Sequence, residues 1–146
     1  MLGIDANILV YAADSGEGGK HLRCREVMTE AMRAGRALIP AQALAEFVWV
    51  LTRKQRRPIA EALEFVDAWR EASEVAGYGD RDVAVAAAAA QRHGIVFWDA
   101  LLWAVCDRMG ATALVTEDFQ DGRRLGAVKL LNPFNPNNAA QFGLRA

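Results

Sequence analysis

Apolar and polar positions alternate along the chain in two rhythms. The N-terminal stretch Met1–Ala12, MLGIDANILVYA, is a short apolar run that Leu2 and Ile4 begin, Ile8, Leu9 and Val10 continue, and Asp5 and Asn7 interrupt. A run of this kind predicts a buried strand ending near Asp5, with a helix or turn to follow and Asn7 placed to cap it. Asp14–Lys20 is polar and glycine-rich and predicts a loop. His21–Ala34 carries Leu22, Val27, Met28, Ala31 and Met32 at helical spacing and stops at Gly35. Ala37–Ile39 predicts a brief second strand before Pro40. Ala41–Gln55 predicts a helix with Leu44, Phe47, Val48 and Leu51 inward and Glu46 among them.

Ile59–Ser73 is amphipathic, with Ala62, Leu63, Phe65, Val66 and Trp69 on its inner side. Asp80–Arg92 contains Val83, Val85 and alanines from Ala86 to Ala90. Alanine is the strongest helix former and allows close backbone approach, so a tightly packed helix is expected there. Gly94–Cys106 is apolar apart from Asp99 and continues as a helix to Met109, with Asp99 read as the cap of a buried helix or the holder of a cation. Ala113–Thr116 predicts a strand with Glu117 and Asp118 directly after it, and Leu125–Leu131 predicts a last strand. The Asn- and Pro-rich tail Asn132–Ala146 is expected over the surface. Alternating strands and helices imply a parallel sheet with helices on both faces. The 146 residues are expected to form a single domain, 1–146, since no internal repeat or linker is visible.

Composition narrows the partners. The formal net charge is −1, so bulk attraction to nucleic acid is excluded and only a local basic patch or a metal site could bind it. Arg53, Lys54, Arg56 and Arg57 make one such patch, which a helix C-terminus also favours through its dipole. Cys24 and Cys106 lie far apart and outside any zinc spacing, so two buried free thiols are expected. His21 and His93 have no second imidazole at metal spacing and read as ordinary helix residues. Without a signal segment or an apolar run of about 20 residues, the chain is expected to be cytoplasmic and free of the membrane.

The candidate chemistry lies in isolated acids. Asp5 follows strand one, Glu46 lies early in the helix after strand two, Asp99 opens an apolar helix, and Asp118, beside Glu117, follows the strand ending at Thr116. Each has an ordinary explanation alone, as a cap or a dipole partner. Four at the same edge of one sheet repel and call for a cation. Oxygen-only ligands favour Mg²⁺ or Mn²⁺ over zinc, and such a pocket without a nucleophile suits metal-activated water acting on a phosphodiester.

These segments in this order, IDANILVYA, LAEFVWVLTRK, FWDALLWAVC and LVTEDF, resemble the PIN-domain ribonucleases, and among them the VapC-type toxins of toxin–antitoxin pairs. The resemblance spans essentially the whole chain. It implies a three-layer sandwich with a central parallel sheet flanked by helices. It also implies Mg²⁺- or Mn²⁺-dependent cleavage of RNA, a homodimer, and a cognate antitoxin that blocks the site. Residue by residue, it gives Asp5, Glu46, Asp99 and Asp118 as the acidic quartet, with Asn7 and Thr116 as supporting polar residues. Glu117 stands as the alternative to Asp118, and Ala6 occupies a position where the family often has Thr or Ser. Arg53, Lys54, Arg56 and Arg57 are then expected to meet RNA or the antitoxin. Two other classes compete: a phosphoacceptor domain of the receiver or phosphatase kind, and a binding domain that keeps the fold without catalysis.

Overall fold

The computed structural model describes residues 1–145 and shows a six-stranded sheet wrapped by helices. β1 (Leu2–Ile4) is buried at every position and ends at Asp5. The Asp5 carboxylate caps α1 (Ala6–Ala13) by accepting from the Ala6 amide at 2.6 Å. Ile8 and Leu9, which the apolar run suggested as strand, therefore lie on the buried face of α1, where their spacing follows a helix. α2 (Gly19–Arg33) starts earlier than expected, after a 3₁₀ turn at Ser15–Glu17, so part of the predicted loop is helical. β2 (Ala37–Pro40) leads directly into α3 (Ala41–Trp49). The predicted helix to Gln55 holds, but Val50–Lys54 widens into a π-helical turn, and Arg56 adopts a positive φ of 53° before Pro58.

α4 (Ile59–Ala72) leads into β3 (Glu74–Ala76), an edge strand with no apolar run to announce it. α5 (Asp80–His93) packs on α6 (Phe97–Arg108). The tight packing expected of α5 is confined to the stripe Asp82, Ala86 and Ala89, because Ala84, Ala87 and Ala88 are exposed. Arg108 of α6 clamps that stripe, donating to both Asp82 oxygens at 2.9 and 3.1 Å while Asp82 also accepts from the Gly79 amide. β4 (Ala113–Val115) is followed by a hairpin of β5 (Arg124–Leu125) and β6 (Val128–Leu131) in place of one long strand. Its two-residue turn is Gly126–Ala127, with Gly126 at φ 56°.

The strands run in the order β3-β2-β1-β4-β6-β5, parallel except for the β5–β6 hairpin. α6 packs on β2, β4 and β6, α2 packs on β2, and α1 packs on α2 and α3, so helices flank the mostly parallel sheet as expected. β1 lies between β2 and β4, with Leu2 and Ile4 buried on one face and Gly3 turned toward α6 on the other. A Cβ at Gly3 would stand 2.5 Å from the Cys106 sulfur, so glycine lets α6 lie close against β1. Cys24 and Cys106 are buried free thiols, and burial pushes each up to about 12. The tail corrects the surface expectation. Pro136–Phe142 forms a 3₁₀ turn in which Asn138, Ala139 and Phe142 are buried. Among the described residues no helix is long and apolar enough to cross a membrane.

Candidate functional site

Chain direction reverses across the sheet between β1 and β4. The chain works outward from β1 through β2 to β3, then returns to β4 on the other side. Ligands of open α/β sheets bind at the carboxyl ends of strands beside such a switch point. Asp5 follows β1 and Thr116–Asp118 follows β4, so the two flank that point. A cavity of about 280 Å³ opens there, lined by Asp5, Asn7, Tyr11, Glu46, Asp99 and Asp118 among others.

Each acid reaches the cavity by a different local route. Asp5 is held between the Ala6 amide and the Thr116 hydroxyl, which donates to its Oδ2 at 2.7 Å. The same hydroxyl accepts from the Asp118 amide at 3.1 Å, and this small turn aims Asp118 inward. Asn7, predicted to cap a turn, lies within α1 and donates from Nδ2 to Asp118 at 2.9 Å. Glu46 projects from α3, where Gln42, one turn earlier, donates to its Oε1 at 3.0 Å and to the Trp98 carbonyl at 2.9 Å. Asp99 lies in the first turn of α6, whose cap is Val96, so capping does not account for it.

Glu117 takes another path. It accepts from the Tyr11 hydroxyl and pairs with Lys20 at 3.1 Å, outside the cavity lining. Of the two adjacent acids, the structure brings Asp118 to the cavity.

The electrostatics are those of a crowded acidic pocket. Asp5 is 4 % exposed. Burial, opposed by the Thr116 hydrogen bond and reinforced by Asp118, raises its carboxyl to about 7. Asp99 is raised by burial first, then by Asp118 and Glu46. Two acceptor oxygens, Asn7 Oδ1 and Gln42 Oε1, are buried with no hydrogen-bond partner. Repelling carboxylates with orphaned neutral oxygens beside them fit a hard divalent cation of the Mg²⁺ or Mn²⁺ kind. Among the described residues no group of three acids, imidazoles or thiols is already arranged to hold an ion, so the acids line a cavity wall and do not form a closed cage.

The basic segment divides. Arg57 is engaged within the fold, donating to Glu61 at 2.7 Å and to the Ala13 carbonyl at 3.2 Å. Arg53 lies over the ring of Trp49 at 4.9 Å. Lys54 and Arg56 are exposed and have no ion pair among the described residues. Trp49 and Trp98 are each 57 % exposed. Trp49 immediately precedes the cavity residue Val50, and Trp98 precedes Asp99. Sequence reasoning missed Tyr11 and Gln42. Their helical spacing from Asn7 and Glu46, four residues in each case, is the signal that could have found them.

A family model described as PIN domain matches residues 3–124. No curated protein sequence matches the chain. Among solved structures, the chain is similar to VapC20 of Mycobacterium tuberculosis, described as a toxin that cleaves the sarcin–ricin loop. That match has a TM-score of 0.63 at 14% identity and covers 78% of this chain and 87% of that one. It is also similar to a chain of a toxin–antitoxin complex from Klebsiella pneumoniae, with a TM-score of 0.65 at 17% identity, covering 92% of this chain and 98% of that one. A chain of VapBC2 from Rickettsia felis, solved bound to a DNA fragment of its promoter, matches with a TM-score of 0.63 at 16% identity, covering 88% and 96%.

Proposed function

The chain belongs to the PIN-domain family, and we propose that it is a Mg²⁺- or Mn²⁺-dependent endoribonuclease, the toxin of a toxin–antitoxin pair. The observation that carries this reading is the convergence of Asp5, Glu46, Asp99 and Asp118 from four elements on one cavity at the switch point. Support for the toxin role comes from the fold neighbours, which include toxin–antitoxin assemblies and an RNA-loop-cleaving toxin.

In this reading Asp5, Asp99 and Asp118 hold the cation. A divalent ion bound there would supply Lewis acidity, activating water for attack on the scissile phosphate. Thr116 and the Ala6 amide fix the rotamer of Asp5, and Asn7 fixes that of Asp118, so neither acid reorganises at the moment of reaction. Glu46 has one oxygen engaged by Gln42, which leaves Oε2 to accept the proton of the attacking water. Trp49 and Trp98 offer exposed rings on which unpaired bases can stack, the usual mode for single-stranded RNA. Lys54 and Arg56 would meet RNA phosphates or an acidic antitoxin segment, and the proposed assembly is a homodimer bound by its antitoxin. A phosphoacceptor role finds less support, because Asn7 stands where the phosphatase pattern needs a second Asp and Glu46, the mid-chain acid a receiver would want at a strand end, lies in a helix.

The test is cleavage of a mixed RNA pool by the purified chain with Mg²⁺ or Mn²⁺, then with EDTA. Expected are metal-dependent cuts and, for Asp5→Asn and Asp99→Asn, a loss of at least about 10²-fold, the scale of one lost transition-state contact. Full activity in Asp99→Asn would sink the metal assignment. Labelling of the chain by a small phosphodonor would favour the phosphoacceptor reading.

A further inference from the structure

The strands also carry a cavity at their amino ends, on the face turned away from α6. Strand register sets Leu2, Ala113, Lys129 and Arg124 side by side in one lateral row. Side chains of such a row stand on one face of a sheet, and successive residues alternate faces. Gly3, one step along β1, faces Cys106 of α6, so this row faces the opposite way. There it borders a cavity of about 310 Å³, lined also by Arg36, Thr112 and Gln141.

The charges around this cavity are unusual. Arg124 and Lys129 are direct cross-strand partners in the β5–β6 hairpin, and like charges placed so destabilise a sheet. Arg36 joins them from the turn that leads into β2. Among the described residues no carboxylate lines the cavity, and none of the three cations has an ion pair. Glu30, held below the usual carboxylate range by Arg33 first and in smaller part by Arg36, gives both its oxygens to Arg33, at 2.7 and 2.9 Å. The remaining contacts are long and neutral: Lys129 to the Gln141 amide oxygen at 3.4 Å, and Arg124 to the Ala127 carbonyl at 3.5 Å.

We propose that this cavity binds a phosphate group, free or carried by a nucleotide or an RNA end. Two planar guanidinium forks and an ammonium match the oxygens and the double charge of a phosphate, while the Thr112 hydroxyl on the rim donates to the Met1 carbonyl at 3.3 Å. The bound anion also relieves the repulsion between Arg124 and Lys129. The site is separate from the acidic pocket. Leu2 precedes Asp5 by three residues of extended chain, about 10 Å, and the two cavities share no lining residue.

The experiment uses the full chain in EDTA, at an ionic strength held constant with chloride, so that it needs neither divalent metal nor RNA cleavage. Inorganic phosphate is titrated first, then uridine 5′-monophosphate, then a short RNA bearing a 5′-phosphate or a 5′-hydroxyl. The readouts are backbone amide shifts and thermal melting. Expected are saturable shifts at Thr112, Ala113, Arg124 and Lys129, a melting temperature raised by about 3 °C at tenfold excess over Kd, and affinity weakened about tenfold in Arg124→Ala and in Lys129→Gln. Tighter binding of the monophosphate than of phosphate assigns a nucleotide, and a preference for the 5′-phosphorylated over the 5′-hydroxyl strand assigns an RNA end. Equal affinity for every phosphate-bearing probe assigns the free anion. Absence of saturable shifts at these residues, no preference over chloride, or unchanged affinity in both variants overturns the proposal.

Discussion

Asp5 is a carboxylate that the fold disfavours in its ionised form. Its folded value is about 7, raised chiefly by burial, whereas an unfolded Asp titrates near about 3.9. Between those limits the native state holds more protons than the unfolded one, so stability must fall as pH rises from about 4 to about 7, then level off. In EDTA, thermal melts across that range are expected to show this decline, worth on the order of a few kcal/mol. Asp5→Asn should flatten the profile and melt higher than the wild type at pH 8. Adding Mg²⁺ at pH 8 should raise the wild type and leave the variant nearly unmoved, since an ion that binds only the native state stabilises it. A wild-type profile flat from pH 4 to 7 would mean that Asp5 ionises at no cost. Asp5, Glu46 and Asp99 are visible in the sequence because each stands alone among apolar residues, and Asp118 because it follows a strand directly. The sequence could not choose between Glu117 and Asp118, because that choice rests on the Thr116 hydroxyl accepting from one backbone amide. Nor could it show that Asn7 clamps Asp118 across 111 positions of chain.

Elements were legible where burial imposed a period and obscure where chain geometry decided. α3, α4 and α6 declare themselves by apolar spacing. β3 does not, because a three-residue edge strand containing an exposed Glu74 has no apolar pattern. The β5–β6 hairpin reads as one strand because its turn, Gly126–Ala127, adds no polar break. β1 and α6 hold a constraint of the same geometric kind. Gly3 has no Cβ, and the Cys106 sulfur occupies the space one would fill, 2.5 Å away. Gly3→Ala is therefore expected to lower stability by about 1–3 kcal/mol through overpacking, read as a lower urea midpoint at unchanged m-value. Adding Cys106→Ala should recover part of the loss, because contacting sites are not additive. Losses that simply add would show that α6 does not set the limit on β1.

The molecule as a whole separates its charges although its net charge is −1. Acids gather at the carboxyl ends of the strands, while Arg36, Arg124 and Lys129 gather at the amino ends. Composition hides this polarity, since it emerges only when register and topology stack distant residues. The C-terminal tail departs from its surface expectation for a related reason. Its Asn and Pro content reads as surface, yet those asparagines tie it down: Asp121 accepts from the Asn132 amide at 2.8 Å and from the side chains of Asn135 and Asn138 at 2.7 and 2.8 Å. That tether seats Phe142 fully inside the core, among residues far from it in sequence. A segment anchored at both levels belongs to the folding unit and is no appendage. Phe142→Ala should then cost about 3–5 kcal/mol, the range for emptying a buried aromatic site, measured as a drop in the urea midpoint of one cooperative transition. Asp121→Ala should destabilise by less, about 1–3 kcal/mol, because water can reach the partly exposed Asn132 and Asn135 and the buried Asn138 keeps the Asn132 carbonyl as a partner. If Phe142→Ala unfolds with wild-type stability, the tail lies on the core without contributing to it.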